Sequence, residues 1–96
     1  MYVVFSVNKA DRKVIDSLLL DELVNRQSIT QKDGSIFGLD NRVVVIIEGS
    51  EAALEVAAKI VGAAGEKLPP AKATDIYNKV KEEEKRADSG MGFLFG

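Results

Sequence analysis

Neither cysteine nor histidine occurs anywhere in the 96 residues, tryptophan is absent, and proline occurs only twice. Without cysteine there is no disulfide, no thiolate nucleophile, no iron–sulfur ligation and no thiolate zinc site. Without histidine the commonest general base and transition-metal ligand is missing. No cofactor and no metal are therefore expected. The chain also has few Gln and Asn, a bias that with the lack of Cys points to a heat-adapted source.

Charge of one sign is missing too. Thirteen Lys and Arg stand against fifteen Asp and Glu, a formal net charge of −2. This balance offers no general attraction for nucleic acid or for anionic membranes, both of which select clustered basic residues. No apolar run approaches the ~20 residues of a spanning helix, and Met1 to Phe5 reads as a strand without the basic flank of a signal peptide. A cytoplasmic protein is expected. Apolar residues at 46 % and charged residues at 29 % are globular composition. A chain of this length folds as one domain, residues 1–96, burying about 60 to 70 % of its unfolded surface.

Tyr2 to Val7 is β-branched and aromatic with Ser6 as its one polar interruption, which predicts a buried central strand. Val14, Ile15, Leu18, Leu19, Leu23 and Val24 recur at helical spacing, predicting a helix from Lys9 to Arg26 with Asn8 as its cap. Asp33-Gly34 between Ser28–Gln31 and Ser35–Leu39 predicts a tight hairpin, with a second turn at Asp40-Asn41. Val43 to Ile47 is an uninterrupted β-branched run and predicts a central strand buried on both faces. Ser50 then caps a helix carrying Leu54, Val56, Ala57, Ile60 and Val61, which Gly65 stops. Pro69-Pro70 predicts an extended connector, and Thr74 caps a third helix from Asp75 to Ala87.

This order predicts an α+β domain: a two-layer α/β sandwich with a ferredoxin-like βαββαβ-type antiparallel sheet, an extra C-terminal helix and a terminal apolar strand. The terminal strand is placed in Met91, Phe93, Leu94 and Phe95, because free ends are normally polar and Phe93 and Phe95 have strand spacing. These four residues are the expected interface, docked on the chain's own sheet or on a neighbour.

Three functions compete for this fold. The first is a non-catalytic association module, working with a protein partner or by self-association; an apolar terminal segment without a clustered polar site favours it. The second is a small anion-binding enzyme or ligand-binding regulator. Its site would be the loop between the first strand and first helix, where Asn8, Lys9, Arg12 and Lys13 surround free backbone N–H groups, with Asn8 or Asn41 as orienter. The third is RNA binding through the sheet, which requires Tyr2, Phe5 or Phe37 to be exposed for stacking. Glu48-Gly49-Ser50-Glu51 reads as a turn, since its carboxylates oppose an anion, and the mixed charges from Lys79 to Asp88 read as a solvated helix face.

Overall fold

The structure is a computed structural model that describes the backbone of residues 1–95 and the side chains of residues 1–85. Four strands form one antiparallel sheet: β1 (Tyr2–Asn8), β2 (Ser28–Asp33), β3 (Arg42–Glu48) and β4 (Gly65–Lys67). Three α-helices accompany it: α1 (Lys13–Leu20), α2 (Glu51–Val61) and α3 (Pro70–Phe95). The strand order is β2-β3-β1-β4, so β3 lies between β1 and β2, and β1 lies between β3 and β4.

Alternation along the two central strands divides the core in two. Val3, Phe5 and Val7 of β1 join Val45 and Ile47 of β3 on one face, beneath Ile15 and Leu18 of α1 and Ala57 and Val61 of α2. Val4 of β1 and Val44 and Ile46 of β3 point the other way, onto Ala73, Ile76 and Val80 of α3 together with Phe37 and Leu68. The domain therefore has three layers. The two-layer sandwich expected from the sequence is corrected by α3, whose stripe of Ala73, Ile76 and Val80 at spacings of three and four is enough to cover the second sheet face.

Val44 to Ile47 are buried in the middle of the sheet and Val43 partly so, as the β-branched run requires. The Ser50 hydroxyl caps α2 by accepting from the Ala53 N–H at 3.3 Å. Other local expectations fail for identifiable reasons. The continuous helix from Lys9 to Arg26 is broken into a short 3-10 turn (Lys9–Asp11), α1 and a second 3-10 turn (Val24–Arg26). Asp21 is extended, and its carboxylate accepts from the Leu23 and Val24 N–H groups at 2.9 and 3.0 Å, an Asx turn that competes with the helix. The Asp33-Gly34 hairpin is replaced by a 3-10 helix (Gly34–Phe37). Asp33 caps it through the Ser35 N–H at 3.0 Å, and Gly38 closes it with φ of 76°. Asn41, with φ of 61°, makes the turn into β3.

At the C-terminal end of α2 the left-handed position falls on Gly62, and Gly65 instead opens β4, where a Cβ would come 2.7 Å from the Ser6 carbonyl oxygen. Helix α3 starts at Pro70 rather than Asp75, because proline fits a first helical turn, whose N–H groups have no intrahelical partner. Its backbone continues through Phe95, so the terminal segment is not a strand. Gly90 and Gly92 each weaken a helix by only about 1 kcal/mol and do not forbid it. The interface expected at Met91, Phe93, Leu94 and Phe95 concerns side chains outside the described residues.

Candidate functional site

The three surfaces favoured by the sequence can now be placed. Asn8 ends β1 opposite Arg42, and its side chain makes no capping hydrogen bond. Lys9 follows, with its N–H donating to the Asn41 carbonyl at 3.1 Å and its ammonium 3.2 Å from the Asp33 carboxylate. Asp33 is held below the usual carboxylate range by the Ser35 N–H and hydroxyl and by Lys9. Arg12 and Lys13 are exposed on the first turn of α1. Of the four expected anion ligands, Lys9 thus already serves a carboxylate, while Asn8, Arg12 and Lys13 face solvent.

The sheet offers no aromatic platform. Phe5 is 1 % exposed within the first core cluster and Phe37 is 9 % exposed beneath α3. Tyr2 is half-buried and stacked on Tyr77, with ring centroids 4.0 Å apart and planes 14° from parallel. The face that would stack on bases is the face that α3 covers.

A polar constellation outside the expected residues lies where α3 crosses the ends of β1 and β3. Tyr2 and Glu48 are paired in the β1–β3 register, so their side chains stand together on the α3 face. Thr74, Tyr77 and Lys81 present one stripe of α3, three and four residues apart. The Thr74 and Tyr2 hydroxyls share a hydrogen bond of 3.1 Å, Tyr77 donates its hydroxyl to Glu48, and the Lys81 ammonium lies 3.0 Å from the other Glu48 oxygen and 5.4 Å from the Tyr77 ring centre. Tyr77 keeps its proton more tightly than an ordinary tyrosine because Glu48 accepts it; Lys81 is raised by the same carboxylate. Glu48 in turn is lowered, first by Tyr77 and then by Lys81. Glu48 is held as carboxylate, Lys81 as ammonium and Tyr77 as neutral phenol, each by its neighbours. The cluster contains no base poised to take a proton, and what it does chemically is clasp α3 to the sheet.

Beside the clasp, Tyr2, Val4, Leu68, Pro69, Pro70 and Ala73 line a cleft of about 420 Å³ whose walls are mainly apolar. Among the described residues no group of three or more Asp and Glu could hold a metal ion, and no helix is long and apolar enough to cross a membrane.

The remaining unusual surface is apolar. Large hydrophobic side chains are exposed at Met1, Leu19, Leu20, Leu23 and Ile36, and all but Met1 belong to elements flanking β2. Leu19 and Leu20 end α1, Leu23 lies in the turn leading to β2, and Ile36 is in the 3-10 helix that leaves it. Sequence reasoning assigned Leu19 and Leu23 to the core stripe of a long helix. The sequence does carry a signal that the stripe is too wide: Leu18, Leu19 and Leu20 in succession cannot all face one sheet at 100° per residue. Comparison with protein-family models, curated proteins and solved structures yields no match to this chain.

Proposed function

We propose that this domain is a non-catalytic association module and that its contact surface is the flank formed by α1, β2 and the 3-10 helix after β2. The observation that carries the reading is the exposure of Leu19, Leu20 and Leu23 just before β2 and of Ile36 just after it, with Leu20 81 % and Ile36 59 % exposed. Scattered single hydrophobics are ordinary on a protein surface, but Leu19, Leu20 and Leu23 fall within one short stretch before β2, with Ile36 past its other end, and such a grouping favours a surface that another molecule covers. The polar groups support the same reading by their engagement, since Lys9, Glu48, Tyr77 and Lys81 are committed to internal partners. We also read the fold as ferredoxin-like with its second face covered, a reading supported by the strand order and by α1 and α2 sharing one face.

Replacing Leu19, Leu20, Leu23 and Ile36 together by serine tests the function. These side chains are exposed, so the variant is expected to keep the circular dichroism spectrum of the wild type. Chemical crosslinking in extract followed by sedimentation should find the wild type in a heavier species and the variant as a monomer. Identical behaviour of the two proteins rejects the reading.

A further inference from the structure

The two edges of the sheet are not equivalent. β4 is three residues long, and Pro69-Pro70 follows it with neither backbone N–H. β2 runs for six residues, is the outer strand of the order β2-β3-β1-β4, and among the described residues has no strand on its other side. Its hydrogen-bonding pattern follows from the register. The Gly49 N–H donates to the Met1 carbonyl and the Lys9 N–H to the Asn41 carbonyl, so the odd residues of β1 bond to β3. Val43, Val45 and Ile47 of β3 therefore face β1, while Val44, Ile46 and Glu48 face Lys32, Thr30 and Ser28 of β2. The N–H and C=O groups of Ile29, Gln31 and Asp33 then point outward.

Exposed apolar side chains stand beside both ends of this strand. α2 contacts β1 and β4, and α1 lies beside α2, so α1 covers the β2 side of the sheet. Val14, Ile15 and Leu18 pack into the core; Leu19, about 140° round the helix from Val14, does not and is left 43 % exposed. Ile36 flanks β2 at its other end. A molecule that fits this flank must offer an open antiparallel strand with apolar side chains beside its ends. A second copy of the chain offers both.

We infer that two copies associate through their β2 edges about a two-fold axis, continuing the sheet from one subunit into the other. This rests on the association reading above and names its partner. The register in which every outward group is used sets Gln31 opposite its own counterpart and Ile29 opposite Asp33, with Leu19, Leu23 and Ile36 closing over the junction. Six strand residues span about 20 Å and three layers at about 10 Å spacing span about 20 Å, so the footprint is roughly 400 Å² per subunit, about 800 Å² in total and below the roughly 1,200 Å² at which stable specific interfaces begin. The dimer therefore dissociates on dilution.

Because the chain contains no cysteine, Gln31→Cys introduces its sole thiol. With a short bismaleimide the full-length Gln31→Cys protein should form covalent dimer, and Glu66→Cys on the opposite edge should remain monomeric. Sedimentation of the wild type should show a monomer–dimer equilibrium. Leu19→Lys with Leu23→Lys should weaken it at least tenfold at unchanged thermal stability, as should Gln31→Pro, which removes an outward N–H without touching the β2–β3 ladder. Should Gln31→Pro fail to fold, the exposed lysine variants still decide. A wild type that is monomeric at every concentration, or equal crosslinking of both cysteine variants, overturns the dimer. A monomeric wild type leaves the association reading standing with a foreign partner, whereas that reading falls only if the serine variant behaves as wild type in extract.

Discussion

Ile76 decides whether α3 is part of the core or an appendage on a two-layer domain. Its side chain is fully buried between α3 and the sheet, in contact with the cluster of Val4, Val44 and Ile46. Ile76→Ala removes three carbon atoms. At about 0.8 kcal/mol per buried methylene the transfer loss alone is roughly 2.4 kcal/mol, and the cavity left against a rigid sheet brings the cost to about 3 kcal/mol, within the 2–5 found for such truncations. For a domain of this length each kcal/mol lowers the melting temperature by roughly 4–8 °C, so a fall of about 12 to 24 °C is expected. The control is Asn78→Ala, two residues on and exposed, which should move stability by no more than about 0.5 kcal/mol. Chemical denaturation with thermal melts measures both. If Ile76→Ala costs less than about 1 kcal/mol, α3 does not close the second face and the three-layer architecture is wrong.

The clasp makes stability depend on pH in a way that Tyr77→Phe should weaken, the Lys81 contact to Glu48 remaining. Glu48 is depressed, so its contribution is complete above its unfolded pKa and is lost as pH falls through the folded value; Tyr77 is raised, so its contribution is complete below the ordinary tyrosine range and is lost as pH rises through the folded value. The stability gap between wild type and variant should be widest near neutrality and shrink at both extremes, with Glu48 titrating higher in the variant by carboxyl NMR; a gap independent of pH refutes the clasp. Val45→Asp places a carboxylate at a fully buried position of β3 and should cost several kcal/mol, which normal denaturation behaviour would contradict. Gly34→Ala puts a Cβ 2.4 Å from the Leu39 carbonyl oxygen and should cost about 1–3 kcal/mol by forcing the turn open; an unchanged melting temperature shows the turn to be looser than described.

The parts of the fold that were legible in the sequence are those in which local preference and burial agree. Val43 to Ile47 is β-branched throughout and sits in the middle of the sheet, and Ser50 caps α2 because nothing in the tertiary structure competes for its hydroxyl. Where a short polar side chain could serve two backbones, the periodicity misled. Asp21 carries a continuous apolar pattern across it, yet its carboxylate satisfies two N–H groups outside the helix. Asp33 likewise has the composition of a hairpin turn, but its carboxylate nucleates a 3-10 helix instead. β4 was illegible for another reason. Gly-Glu-Lys has no strand propensity, and these residues are extended because β1 offers them an edge and Gly65 can approach the Ser6 carbonyl.

The candidate surface was half legible, and the missing half depended on the third layer. An open sheet face would have been the obvious place for a ligand or a partner, and the aromatic residues of β1 invited that reading. Once α3 covers this face and α1 with α2 cover the other, the backbone groups still free to pair lie at the edges. β4 is short and is followed by prolines, so on the association reading proposed above the contact would fall on β2, whose strand positions carry no proline and whose charged residues, Lys32 and Asp33, are confined to one end. Proteins that must remain solitary guard such an edge with charge, bulges or proline. Here Ile29, Thr30 and Gln31 carry none of these guards, and Leu19 and Leu23 before the strand and Ile36 after it are exposed, an arrangement whose cost in water another strand laid against it would relieve.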